Sequence, residues 1–322
     1  MEGRATVVVS RDAGKARAFA QALDIPGVAQ TVEDAARHPD VDAMYIASPP
    51  TSHLEQALIC FAAGRPALIE KPLASSRADA EAIAEAARAA RVFCMEAMWT
   101  AFLPLVEEVS KSISSGAIGD IRSFSGSLGF ANAPDPTRSV FNAALGGGAL
   151  LRRGIYPLAM AMRLFGSVTR VESTARIGET GVDDDSTVLL HHQTGVLSTI
   201  CASLRTSLPN DMRISGTHGS IHVEAPIFRP FEMRLTPARP MNEALVPAKF
   251  ESLRESGLAQ GVRQRFSRVV RFARNGGTSR KAAYHTGNGF NYEADEVMRC
   301  VRSGKLESDT MKLSDSVDTL AV

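Results

Sequence analysis

Over its first hundred residues the chain alternates short apolar runs with segments of helical period. Ala5-Thr6-Val7-Val8-Val9 is mostly β-branched and reads as a strand ending at Ser10-Arg11-Asp12. A helix pattern follows over 13–23, closed by Ile25-Pro26-Gly27, and a short one covers 32–37 behind a Thr31 cap. Asp42 to Ala47 is the next strand, with Ser48-Pro49-Pro50-Thr51-Ser52-His53 as the loop at its end. A helix over 54–63 stops at Gly64, the residue type that tolerates a left-handed cap. Pro66-Ala67-Leu68-Ile69 predicts a buried parallel strand, an alanine-rich amphipathic helix covers 78–91, and a last run spans 92–96. Strands alternating with helices at this spacing predict parallel βαβ units in a Rossmann-like sheet.

After Trp99 the texture changes. A helix over 103–113 and a turn over 116–120 lead into alternating strands at 122–128, 168–176, 186–192, 196–204 and 220–223. A glycine-rich stretch, 146–157, interrupts them and runs into a helix over 158–165. Helical patterns return at 287–302 and from Leu313 onward. The predicted fold is α/β: a Rossmann-like domain over 1–96, then an α+β domain over 97–322 with a mostly antiparallel open sheet. One expected piece is missing. No strand with a GxGxxG turn precedes Ala5, so the sheet is expected to lack its first βα unit.

Composition narrows the classes. The 322 residues carry 44% hydrophobic and 22% charged side chains, ordinary for a soluble protein. A formal charge of +1 gives no general attraction to nucleic acid or an anionic membrane. Four scattered cysteines without a CxxC pair read as reduced thiols of a cytoplasmic protein. The start of the chain has no apolar signal region, and no run reaches membrane-spanning length. Five arginines over 263–274 lie on a helical pattern, read as a solvated surface face rather than an RNA- or membrane-binding one.

Candidate chemistry begins at Glu70-Lys71-Pro72. A Lys at the carboxyl end of a buried parallel strand lies on the rim where open α/β sheets bind ligands, and Pro72 stiffens its turn. Taken alone, the tripeptide reads first as a strand ending in a solvated Glu-Lys pair. No metal is expected. His191 and His192 point to opposite faces of a strand, and His218 and His222 flank a glycine turn. Asp183-Asp184-Asp185 reads as a solvated acidic turn starting a strand, and GxSxG is absent.

Five stretches together resemble one family, the glucose–fructose oxidoreductase / inositol dehydrogenase / MocA oxidoreductases. They are Tyr45-Ile46-Ala47-Ser48-Pro49 with His53, Glu70-Lys71-Pro72-Leu73-Ala74, Met95 to Phe102, Gly146 to Tyr156, and Gly287-Asn288-Gly289-Phe290 with Glu293-Ala294. The Met-Glu-Ala-Met-Trp-Thr and Gly-Ile-Tyr-Pro-Leu forms are most similar to the dihydrodiol and NADP-dependent aldose dehydrogenase branch. The resemblance implies hydride transfer between a nicotinamide and a CH–OH carbon of a sugar, polyol or cyclic diol. It implies Lys71 beside the nicotinamide, Tyr156 as acid/base on the reacting hydroxyl, and Trp99 against cofactor and substrate. An adjacent Lys71 ammonium would favour the Tyr156 phenolate in the reverse direction. Glu70, Ser48, Pro49 and His53 fall in cofactor-contact stretches. Ser10-Arg11, with Lys15, replaces the acid that grips an NAD ribose, so NADP is expected over NAD.

The chain also departs from that pattern. Ala101 stands where the branch usually has Arg, and Arg152-Arg153 replace a usual Asp-Ile pair; Arg152 is expected to contact substrate and to recruit an anionic one. The missing glycine loop leaves a second reading open, a truncated or non-catalytic member acting as a binding or assembly protein. The family's open sheet implies a homodimer or dimer of dimers.

Overall fold

The structure, a computed structural model, describes residues 3–238 and 278–322; the arginine-rich 263–274 stretch lies outside them. Five parallel strands come first: β1 (Val7–Val9), β2 (Gly27–Ala29), β3 (Met44–Ile46), β4 (Ala67–Glu70) and β5 (Cys94–Ala97). β1 pairs only with β2, while β3, β4 and β5 form a separate sheet with β4 in the middle. A doubly wound sheet runs in the order 3-2-1-4-5-6. If β1 and β2 take its second and third places and β3 to β5 its last three, no described strand fills the place between β1 and β3. The sheet is split there. Tyr45, on β3, is accordingly 54% exposed although it sits within a strand.

Helices α1 (Ala13–Ala22), α2 (Val32–Arg37), α3 (His53–Ala62) and α4 (Arg77–Ala90) connect these strands. Asp12, Thr31 and Ser76 cap α1, α2 and α4 by accepting backbone N–H bonds. Ala67 and Ile69 of β4 are sealed in one core with Ala57, Cys60 and Phe61 of α3 and Ala80, Ile83, Ala84 and Ala87 of α4. The alanines let the helices approach the sheet closely. Sequence reading missed β2, because Pro26 and Gly27 punctuate its three residues.

α5 (Pro104–Ser114) leads into an eight-stranded sheet. Its strands are β6 (Ile121–Gly129), β7 (Val168–Ile177), β8 (Asp183–His192), β9 (Leu197–Ser203), β10 (Met212–Gly216), β11 (Gly219–Val223), β12 (Glu232–Pro237) and β13 (Ser279–Ala282). The order is β13-β12-β11-β10-β6-β9-β8-β7, and every pair is antiparallel except β6 with β9. Burial alternates along β8 and β10, so one face packs on α5 and α6 (Ile155–Phe165). The other face carries Thr187, Leu189, Leu197, Thr199 and Cys201, a mixture of polar and apolar groups. α7 (Asn291–Arg302) and α8 (Leu313–Leu320) close the fold, α8 against α4 and α6. Sequence reading missed β10, β12 and β13. Among the described residues no helix is long and apolar enough to cross a membrane.

The acidic triplet corrects its expectation, because it is tied down rather than solvated. Asp183 accepts from Leu150 N at 2.8 Å and Ser186 Oγ at 2.5 Å. Asp184 is buried and pairs with Arg205 at 3.0 Å, and Asp185 accepts from Ser203 Oγ at 2.6 Å. The first of these bonds ties β8 to the glycine stretch before α6, and those of Asp184 and Asp185 tie it to the end of β9 and the residues after it.

Candidate active site

The turn after β4 is held from three sides. Buried Glu96 on β5 accepts from Leu73 N at 2.9 Å. The ring of fully buried His53 meets Leu73 O at 3.1 Å and Ser48 O at 2.9 Å. Burial pushes the His53 pKa down, and a neutral imidazole donates to only one of the two carbonyls. Glu70 folds back on its own strand, accepting from Tyr45 Oη at 2.6 Å and from Lys71 N at 3.0 Å. His53 and Glu70, expected at the cofactor, thus spend their polar atoms on the protein and position the turn.

That turn aims Lys71 at α6. Its Nζ lies over the face of the Tyr156 ring, 4.3 Å from the centroid. The Tyr156 oxygen accepts from Trp99 Nε1 at 3.4 Å, and its own proton has no acceptor among the described residues. Phe290 stacks on Trp99 at 4.4 Å, and Phe228 lies 6.0 Å from the Tyr156 ring and 6.1 Å from Trp99. The structure therefore brings together Lys71, Tyr156 and Trp99, all expected at the site.

Burial, and after it the Arg152 guanidinium, push the Lys71 ammonium down to about 8. Burial pushes the Tyr156 phenol up to about 12. The expected help toward phenolate is therefore outweighed: Lys71 meets the ring face, and the buried oxygen resists charge. Two groups were not singled out from sequence. Glu96 is held toward its neutral form by burial, and its signal was a lone acid inside an apolar strand. Glu293, on α7, is buried with Oε2 unpartnered; burial, then Glu70 and Glu96, raise it to about 8. Phe228 sits in a loop with no sequence signal.

Ser10, Arg11 and Lys15 stand apart, at the end of β1. Asp12 accepts from the N–H groups of Gly14 and Lys15, and Lys15 Nζ lies 3.9 Å from its carboxylate. Arg11 and Lys15 are exposed, and no hydrogen bond or ion pair ties them to Lys71 or Tyr156. Ser48 Oγ, at the end of β3, is buried without a partner. Donors at three strand ends suit a dinucleotide, with Ser48 a vacant hydroxyl for its sugar–phosphate part and cations for phosphate. A glycine-rich pyrophosphate loop is not among the described residues.

A Rossmann-type sheet with a Lys–Tyr–aromatic cluster at its rim, joined to an open antiparallel sheet, defines an oxidoreductase class. Residues 2–98 match the oxidoreductase family with an NAD-binding Rossmann fold, and residues 106–222 match the GFO/IDH/MocA C-terminal domain. The chain belongs to the GFO/IDH/MocA oxidoreductase family. It is 31% identical over 317 residues to a trans-1,2-dihydrobenzene-1,2-diol dehydrogenase of Mus musculus, covering 98% of this chain and 85% of that protein. A 3-ketoreductase from Actinomadura kijaniata in complex with NADP shares its fold with a TM-score of 0.78 and 21% identity, covering 98% and 86% of the two chains. A levoglucosan dehydrogenase in complex with NADH and levoglucosan does so at 0.78 and 20%, covering 98% and 85%. The chain is thus an enzyme of a family whose named relatives act on CH–OH donors.

Proposed function

We propose that this oxidoreductase uses NADP(H) and moves hydride between the nicotinamide and a secondary alcohol or lactol carbon of a sugar, polyol or cyclic diol. The observation that carries it is Lys71 Nζ, 4.3 Å over a Tyr156 ring whose hydroxyl proton is unspent. When bound, the cofactor supplies the hydride donor or acceptor. Ser48, Pro49, Lys71 and Trp99 would hold its nicotinamide half. Arg11 and Lys15 would hold a 2′-phosphate beside the start of α1, which Asp12 itself caps. In reduction, the Lys71 ammonium gives a proton to the substrate oxygen, and in oxidation the Lys71 amine takes it back, because its pKa lies near neutrality and that of Tyr156 does not. The Tyr156 hydroxyl donates a hydrogen bond to that oxygen in both directions and keeps its proton.

In this reading residues 1–96 carry the cofactor, while 97–322 carry the substrate and a homodimer contact on the outer face of the large sheet. The reduced state of all four cysteines suits the cytoplasm. The test is a titration with NADPH and NADH that follows Trp99, the chain's single tryptophan. Saturable quenching at micromolar NADPH, weaker with NADH, followed by turnover of D-xylose or a trans-dihydrodiol, supports the assignment. No response to either nucleotide in folded protein contradicts it. Light scattering at micromolar concentration tests the dimer, and a monomer would refute it.

A further inference from the structure

The fold partners its half-buried arginines with care, apart from two. Arg65 donates to the carbonyls of Ala36 and His38, and Arg234 pairs with Glu224 at 2.5 Å. Arg152 and Arg153 are just as half-buried, yet neither guanidinium has a hydrogen bond or ion pair among the described residues. Arg153 Nε is fully enclosed without a partner, and its guanidinium lies 5.1 Å over the Phe130 ring.

Both sit on a π-turn, Leu150–Gly154, that is locked onto the large sheet. Leu150 N donates to Asp183, and Gly148 has φ +120°, where a Cβ would meet Asp183 Oδ1 at 2.1 Å. Gly154 passes so close to β9 that a Cβ would lie 3.2 Å from Ala202. The backbone of the turn is fixed, so both cations stay anchored at the start of α6. Both lie near enough to Tyr156 and Lys71 to shift the balance of their charges. Lys71 Nζ itself has no carboxylate partner either, since Glu70 is occupied by Tyr45 and the Lys71 backbone. Glu96 and Glu293 are held toward their neutral forms. Three partly desolvated cations around one phenol share a single carboxylate, Glu70, and the excess positive charge is costly unless an anion completes them.

We propose that the substrate of this site carries an oxyanion, a carboxylate or a phosphate ester, which Arg152 and Arg153 grip while its alcohol carbon faces Tyr156 and Lys71. The planar guanidinium forks suit either group. The cofactor's own 2′-phosphate is assigned to the β1 end, so it does not compete for this pair. The proposal rests on the dehydrogenase reading for the role of the bound alcohol, but the anion site can be measured without it.

The test is equilibrium binding of D-glucose, D-glucuronate, D-glucose 6-phosphate and inorganic phosphate at constant ionic strength, followed by Trp99 emission and by calorimetry. It uses the full chain and its R152Q/R153Q and R152K/R153K variants, each checked by thermal melting. One charged sugar should bind at least about tenfold tighter than D-glucose. That preference should vanish in R152Q/R153Q and partly survive in R152K/R153K. The carboxylate and phosphate arms identify which oxyanion is preferred. Equal binding of all three sugars, no binding of any, a preference that survives R152Q/R153Q, or inorganic phosphate binding as tightly as the sugar phosphate would each overturn the proposal. NADPH titration of the same samples separates the two claims. Quenching by NADPH with no charged-sugar preference removes only the anion site, while that preference without NADPH quenching removes only the dehydrogenase reading.

Discussion

At the carboxyl end of β4, Lys71 is enclosed by the Tyr156 ring and by a turn tied to Glu96 and His53. At the carboxyl end of β1, Arg11 and Lys15 stand in solvent, and Lys15 reaches only the carboxylate of Asp12. The two ends belong to different sheets. A site that shifts proton affinities must exclude water and fix its groups before substrate arrives. A site that only attracts phosphate can stay open, because its work is long-range charge. Tight packing at one end and loose charge at the other is what the proposed division between chemistry and nucleotide capture requires.

Substitutions at the two ends should therefore fail differently. K71M should lower turnover about a hundred- to ten-thousand-fold in steady-state assays while NADPH still binds, and Y156F should lower kcat/KM of reduction and oxidation alike, by less than K71M does. A K71M enzyme with near-normal turnover would erase the contrast. R11E should do the reverse, raising the NADPH dissociation constant about tenfold or more while that for NADH and the turnover number change little. E96A should destabilise the fold by about 1–3 kcal/mol in urea titrations, because Leu73 N loses its buried acceptor, whereas E96Q keeps one and should cost less. The effect expected from E293Q is confined to a pH window. Glu293 titrates near 8 in the folded chain, well above its ordinary 4.5, so the folded state keeps a proton that the unfolded state has released. Its contribution to stability is complete below pH 4.5 and is lost as pH rises through about 8. E293Q should flatten that slope of the stability-against-pH curve.

Much of this contrast could be read from residue order. The Lys71 strand, its flanking helices, the Thr31 cap and the switch to alternating strands after Trp99 follow local patterns, and each stands where the pattern put it. The split between β1 and β3 agrees with the expectation that no strand with a glycine-rich turn precedes β1 among the described residues. What escaped was non-local. β2 is three residues behind a proline, and the aromatic wall owes Phe228 to a loop placed by β11. The direction of the proton affinities was also hidden, since burial sets it and no tripeptide encodes burial. Lys71 and Tyr156 were legible as a pair; that the amine would meet the ring face and leave the phenol protonated was not. The acidic triplet shows the same limit, because three aspartates look solvated until Leu150, Arg205 and Ser203 arrive from elsewhere in the fold.

The central claim is that Lys71, rather than Tyr156, exchanges a proton near neutrality. It can be measured without any substrate, by following the carbon-13 shift of Lys71 Cε against pH in uniformly labelled protein, with K71M identifying the resonance. The account predicts a midpoint at about 8, well below that of the exposed lysines, and a move upward in R152Q once the neighbouring guanidinium is gone. A Lys71 resonance that titrates together with the exposed lysines, in their ordinary range about 10.5, would contradict it.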